Sequence, residues 1–266
     1  EQRNPAISGH TVVWEDNRNG NFDIYGYDLS THAEFAICTD AGYQDYPAIS
    51  GDTVAWQDWR NGNVDIYGYD LSTDSEFAIC TAAGDQHYPA ISGDTVVWDD
   101  DAIYGYDLST HSEFPICTAT GDQYQPAISS DTVVWGDSRN GNWDIYGYDL
   151  STHSEFAIST AAGEQYNPAI SGDTVVWFDN RNGNWDIYGY DLSTHFEFPI
   201  CTDAAGQFGS EISGDTVVWI DNRNGNPDIY GATIVPEPVT VAMIAPAILG
   251  LAGVAAARRK AAARRK

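Results

Sequence analysis

The sequence of 266 residues predicts an all-β fold, a six-bladed β-propeller, and three observations carry that prediction. The segment Thr-Val-Val-Trp recurs from Thr11, Thr53 (as Thr-Val-Ala-Trp), Thr95, Thr132, Thr174 and Thr216, at spacings of 42, 42, 37, 42 and 42 residues. Each repeat holds four strand-like segments separated by turn residues, and one such sheet cannot bury both of its faces alone, so neighbouring sheets must stack. The composition, with 25 Gly, 16 Tyr, 9 Trp and one Met, favours pleated sheets and tight turns over helices.

Within a repeat the strands are expected at Pro168–Ser171, Thr174–Trp177, Asp186–Leu192 and Glu197–Thr202. Gly172-Asp173 suits a type II′ hairpin, Asn182-Gly183 a type I′ turn, and Ser193-Thr194-His195 the third turn. In the third repeat Trp98 to Tyr104 lacks the Arg-Asn-Gly-Asn stretch, so one hairpin is shortened. The first three strands occur six times but the Glu-Phe-x-Ile strand only five times, so the sixth blade is expected to lack its outer strand. The chain starts at Glu1-Gln2, mid-repeat and without Met, and a leader and a closing strand are expected upstream.

Cys38, Cys80, Cys117 and Cys201 share one repeat position, where the fourth repeat has Ser159. Equivalent points on different blades do not approach within about 7 Å between Cα atoms, so free buried thiols are expected. The repeated Trp14, Trp56, Trp98, Trp135, Trp177 and Trp219 read as packing between blades. His32, His111, His153 and His195 read as exposed turn residues, too dispersed to form one metal site.

Residues 1–235 hold 38 of the 39 acidic residues against six Arg and no Lys, a charge that repels nucleic acid and anionic lipid. After Val235 the character changes. Pro236-Glu237-Pro238 is followed by 19 uncharged residues, 239–257, and then by Arg258-Arg259-Lys260. As a helix the apolar stretch would reach about 28 Å, enough to cross a bilayer core, with the basic cluster on the cytoplasmic side and the propeller outside.

Five Arg, namely Arg18, Arg60, Arg139, Arg181 and Arg223, are expected on one face of the ring, each between two Asp such as Asp16 and Asp23 or Asp58 and Asp65. Two readings stand for them: bracing of the hairpin by ion pairs, or contact with a ligand. The residue after each Arg-Asn-Gly-Asn varies, as Phe22, Val64, Trp143, Trp185 and Pro227. Together with Trp59, Trp143 and Trp185 could stack on sugar rings or simply cover their own hairpins. The Asp-Asn-Arg-Asn-Gly-Asn pattern departs from a calcium loop, since Gly falls at position five, Arg occupies a ligand position and the twelfth-position Glu is missing; no cofactor or metal is expected, with calcium the alternative that the overall acidity supports. No catalytic constellation is present in the sequence, so no enzyme activity is expected.

The repeat from Pro168 to Thr202, with Asp-x-Arg-x-Gly-Asn-x-Asp-Ile-Tyr at its centre, resembles the TolB-like β-propeller repeat over residues 1–234. The resemblance implies a six-bladed ring of a kind found in periplasmic and surface proteins and in non-catalytic domains of some peptidases. The tail, 235–266, resembles the PEP-CTERM sorting signal in Pro236, Glu237, Pro238, the apolar stretch, and Arg258, Arg259 and Lys260. The second basic block, Ala261 to Lys266, departs from that pattern. This resemblance implies an exosortase-type processing enzyme as partner, a transient membrane anchor, and delivery to the cell surface or extracellular matrix. The expected function is therefore an exported binding or scaffold module for glycan or protein. A structural envelope protein without specific ligand, and a polysaccharide hydrolase or lyase, are the alternatives.

Overall fold

A computed structural model describes residues 1–235 and 240–244. It contains six antiparallel sheets of four strands, each sheet meandering in chain order. In the fourth sheet, for example, the strands are Gln123–Ser129, Thr132–Asp137, Asp144–Asp149 and Ser154–Ser159. Each sheet's first strand packs against the first strand of the next, and all six first strands line one central cavity. The Arg-Asn-Gly-Asn hairpins and the links between sheets lie at the end of the cavity where the first strands begin.

The core is a series of five apolar clusters, each joining one sheet to the next. Val134, Ile145 and Ile158 of the fourth sheet meet Val175 and Trp177 of the fifth. Five of the repeated Trp are at most 1% exposed, so burial of this aromatic at every interface is the main apolar contribution to stacking. Trp14 differs and is only half-buried, because among the described residues no sheet covers the face of the first sheet that carries it. At the other end of the series the corresponding open face belongs to the sixth sheet. There Val218 and Ile229 are 39% and 66% exposed, whereas their counterparts Val13 and Ile24 are 0% exposed.

In the first five sheets the third strand carries a Gly beneath a Phe of the fourth. A Cβ on Gly147 would lie 2.7 Å from the Phe156 ring. Gly147→Ala is expected to push that ring outward and to lower the unfolding free energy by about 1–3 kcal/mol. Equilibrium urea unfolding measures it, and an unchanged midpoint would contradict the packing.

Turn chemistry departs from expectation in one place. Gly172 takes φ +55° and Asp173 does not share it, consistent with the type II′ hairpin. At Asn182-Gly183 only Gly183 has positive φ, and its N–H donates to the Asn180 carbonyl at 2.9 Å. The hairpin is thus a six-residue loop built on a turn from Asn180 to Gly183, not a two-residue type I′ turn. The four His and Asp74 sit at φ between 53° and 59° in exposed turns. The preceding Asp caps those turns: Asp149 Oδ1 accepts from Ser151 N at 2.8 Å and Thr152 N at 3.0 Å. In the third sheet Thr95–Asp99 and Ile103–Asp107 are joined by the short connection that the missing residues predict.

Two expectations for the C-terminus are corrected. The sixth sheet does not lack its outer strand, since Thr240–Ile244 pairs with Asp228–Val235, with Val235 opposite Thr240 and Gly231 opposite Ile244. That same segment is therefore a strand and not the start of a helix over 239–257. The third strand presents unpaired N–H and C=O groups along its edge, and an apolar segment four residues downstream can satisfy them locally. Thr233 also replaces the turn-capping Asp, which lets the strand run on to Val235. No helix among the described residues is long and apolar enough to cross a membrane. The rest of the proposed helix, and Pro236, Glu237, Pro238, Arg258, Arg259 and Lys260, lie outside the described residues.

Candidate ligand-binding face

The five Arg of the hairpin face are clamps. Asp58 follows Trp56 by two residues on the second strand, is fully buried, and accepts from Trp56 Nε1 at 3.0 Å, Arg60 N at 2.9 Å and Arg60 Nη2 at 2.6 Å. The same guanidinium reaches Glu76 of the fourth strand at 2.6 Å, donates to Cys38 Sγ of the preceding sheet at 3.1 Å, and stacks 4.1 Å over Tyr67. Arg139 repeats the pattern with Asp137, Glu155, Cys117 and Tyr146, and Arg181 with Asp179, Glu197, Ser159 and Tyr188. Arg223 pairs with Asp221 and Asp203, donates to Cys201 and lies over Tyr230. Arg18 pairs with Asp16 and Glu34 and lies over Tyr25, but at 37% exposure it has no preceding sheet to grip.

The partner of each Arg is thus the first flanking Asp and a fourth-strand Glu or, for Arg223, a link Asp. The second flanking Asp takes a different role: Asp65 accepts from Asn61 and Asn63, and Asp144 from Asn140 and Asn142. Burial raises the pKa of Asp137 and Asp221, but hydrogen bonds from Arg139 and Trp135, and from Arg223 and Trp219, outweigh it and hold both below the usual carboxylate range. The shortened third sheet is an internal control. Asp100 occupies the same position without an Arg, and burial with the nearby Asp101 charge pushes it up.

The four thiols are free and buried, and Ser159 replaces one of them as an acceptor for Arg181. Desolvation pushes the Cys38 thiol up to about 12 and those of Cys80 and Cys117 to about 11; Cys38, Cys117 and Cys201 accept from an Arg, and all four thiols pack between sheets. Cys38, Asp40 and Glu76 come close enough to hold a cation, and the cation among them is the Arg60 guanidinium, 2.7 Å from Asp40.

A cavity of about 380 Å³ opens between the six first strands. Every first strand bulges where it lines this cavity. Asn4, Tyr46, Tyr88, Gln125 and Asn167 have φ of 49° to 50°, each directly before a Pro, and Gly209 has φ 63°. A side chain in the left-handed region costs about 1–3 kcal/mol, more readily tolerated when surrounding contacts hold it. The clearest of these are hydrogen bonds from the strained backbone to the preceding sheet: Tyr46 N to Glu15, Tyr88 N to Gln57 and Gln125 N to Asp99, each 2.8 Å.

Aromatic rings follow one another outward from Tyr46 and Tyr88, which line this cavity. Tyr46 meets Tyr88 edge-on at 5.0 Å and Tyr88 meets Tyr124 at 5.0 Å, with the Tyr124 hydroxyl 2.9 Å from that of Tyr88. Tyr124 continues to Trp143 at 6.1 Å, Trp143 to Tyr166 at 5.8 Å, and Tyr166 to Trp185 at 5.6 Å. Phe178 closes the far end, 5.2 Å from Trp185. Trp143 and Trp185 are brought together through Tyr166. Trp59 is 40% exposed and stands beside Asp45, apart from that series. Three acids adjoin the cavity-lining segments: Glu15 and Asp99 accept from Tyr46 N and Gln125 N, and Asp45 directly precedes Tyr46. Burial, reinforced by the Glu15 charge, pushes Asp45 up to about 7, and burial pushes Asp99 up to about 7.

Sequence reasoning found Trp143, Trp185 and Trp59 but not the tyrosines that connect them, because Tyr46, Tyr88, Tyr124 and Tyr166 occupy two different repeat positions. It also missed Ser210 and Glu211. Their signal was available, since Gly209-Ser210-Glu211 stands where the other repeats have a non-Gly residue, Pro and Ala.

No protein-family model matches the chain. No curated protein matches it either. Among solved structures it is similar to TolB from Acinetobacter baumannii, at 20% identity and a TM-score of 0.57 over 74% of this chain and 53% of that one. It is similar to a prolyl endopeptidase at 13% identity and a TM-score of 0.71, over 91% of this chain and 42% of that one. It is also similar to the β-propeller domain of the Trilobed protease from Pyrococcus furiosus, described as having an open velcro topology, at 16% identity and a TM-score of 0.69 over 92% and 85%. The chain thus spans about half or less of the first two proteins. At these identities the likeness concerns architecture, and with the repeated four-stranded sheets it establishes a β-propeller fold similar to the TolB-like propellers.

Proposed function

We propose that the chain is a six-bladed propeller acting as an exported binding module, and that the aromatic series leading away from the cavity receives a glycan. The series from Tyr46 to Trp185 carries this reading. Half-exposed Tyr and Trp rings offer faces for the C–H-rich side of sugar rings at little conformational cost, and the Asn, Asp and Tyr groups between them match hydroxyls. The Arg clamps then act as scaffold, holding adjacent blades at the spacing that sets the cavity. The proposal extends to the tail, 235–266, as a sorting signal for an exosortase-type enzyme that leaves the propeller at the cell surface or in the matrix.

A glycan array followed by calorimetry on the best ligand tests the binding. Trp143→Ala with Trp185→Ala is expected to weaken it by at least tenfold while the thermal midpoint stays within a few degrees. Saturable binding that survives the double replacement would move the site elsewhere. No saturable glycan binding at all would favour a structural envelope role.

A further inference from the structure

One sheet differs from the other five inside the cavity. Where five first strands place Pro and Ala, the sixth places Ser210 and Glu211, and both line the cavity wall. Gly209 keeps the left-handed backbone of its counterparts, so the departure changes side chains and leaves the bulge in place. Ser210 is 2% exposed and its Oγ has no hydrogen-bond partner among the described residues. Gln125 Oε1, across the same cavity, is likewise buried and unpartnered. The Glu211 carboxylate has no ion pair or hydrogen bond among the described residues. Solvent reaches it, yet the surrounding walls desolvate it and raise its pKa.

The wall thus carries one charge, the Glu211 carboxylate, among neutral groups: five Pro contribute no N–H, the Asn4 amide is spent on Glu15 at 2.6 Å, and Gln125, Asn167, Tyr46 and Tyr88 are uncharged. Such a set calls for a ligand that brings several N–H donors and a positive charge. A divalent metal fits poorly, because it requires six or more oxygens and usually more than one carboxylate. A protonated primary amine fits: one charge for one carboxylate, N–H donors for its two oxygens, and a small head that enters between Pro and Ala walls. The cavity volume of about 380 Å³ lies within the range of small-molecule sites.

We infer that Glu211 forms a subsite for the ammonium group of an amino sugar whose neighbouring rings lie on the aromatic series. This rests on the glycan reading above and adds the class of sugar, an unacetylated hexosamine. The charge of the carboxylate, which no other sheet supplies at this position, is what the ammonium would neutralise.

The test is calorimetric titration of the full chain with a β-1,4-linked glucosamine hexamer and with its fully N-acetylated counterpart. The wild-type chain is expected to bind the amine form at least tenfold more tightly. Glu211→Gln should abolish that preference while leaving the N-acetylated hexamer unaffected. Glu211→Ala, which installs the residue the other five repeats carry, should do the same and guards against a folding artefact. Trp143→Ala with Trp185→Ala should weaken both hexamers alike. Binding of both hexamers without an amine preference, or a preference that persists in Glu211→Gln, overturns the subsite and leaves the glycan face standing. Failure of both hexamers to bind, with a lysine-rich peptide bound in a Glu211-dependent way, overturns the amino-sugar assignment together with the glycan reading.

Discussion

Asp137→Ala is expected to lower the unfolding free energy by about 3–5 kcal/mol, the usual cost of removing one partner from a buried ion pair. Asp137 is fully buried and accepts from Trp135 Nε1 at 3.0 Å and from Arg139 N, Nε and Nη2 at 3.0, 2.8 and 2.6 Å. Its loss strands an indole N–H and part of a guanidinium between two sheets, where water cannot readily replace the acceptor. Glu155 retains one side of the Arg but is itself partly solvated. The same substitution at Asp16 is expected to cost roughly 1 kcal/mol, because Arg18 and Trp14 lie on the uncovered face of the first sheet and water can hydrate them. Urea unfolding of both variants gives the comparison. Equal losses would mean that the first face is covered in solution and the seam between the sixth and first sheets is closed.

The pH dependence of the clamps has a definite sign. The Asp137 and Asp221 pKa values are lower in the folded chain than the ordinary 3.8, so their contribution is present above about pH 4 and is lost as pH falls towards their folded values.

Asp99→Asn should act in the opposite direction and in a different window. Asp99 is 4% exposed, and desolvation first, opposed by the Gln125 N–H and aided by Asp101 and Asp100, pushes it up to about 7 from 3.8. Between about pH 4 and 7 the folded chain keeps a proton that the unfolded chain has released, so stability falls as pH rises through that range. Above it the full cost of a buried charge is present. Asn keeps an oxygen for the Gln125 N–H and removes the ionisation. The variant should match the wild type near pH 4 and exceed it at pH 8 by on the order of 2–4 kcal/mol. Urea midpoints at the two pH values measure the effect, and a difference independent of pH would show that Asp99 is not buried as an acid. Asp45, also raised to about 7, remains as a common background in both proteins.

The strands, the once-per-sheet Trp, the shortened third hairpin and the free thiols were legible in the sequence because each depends on neighbours within one repeat. The alternation of Thr-Val-Val-Trp and the Gly-Asp turn specify a strand and its reversal whatever lies beyond them. The Arg were legible as hairpin braces only in part. Their grip on a fourth-strand Glu 16 residues away, and on the thiol or hydroxyl of the preceding sheet, appears once the sheets are stacked.

The candidate site was less legible. Trp143 and Trp185 stood out as variable residues, but the rings joining them come from strands about one repeat apart, and nothing local says that those rings touch. Nor does local pattern reveal that the hairpin Trp and the first-strand Tyr join in one aromatic series, or that Glu211 lines the central cavity.

What the sequence by itself determined is a repeated four-stranded unit with its turns, its interface Trp and its acidic surface. Only the tertiary structure decided which copies are equivalent in burial. Trp14, Val218 and Ile229 match their repeat partners in sequence and differ from them in exposure, because burial belongs to the face opposite, and the sixth sheet does not cover the first. The apolar segment Thr240–Ile244 shows the same limit from the other side. Its composition suits a membrane helix, but an unpaired strand edge a few residues away offers its backbone hydrogen-bond partners in water, and in the folded chain that edge takes it.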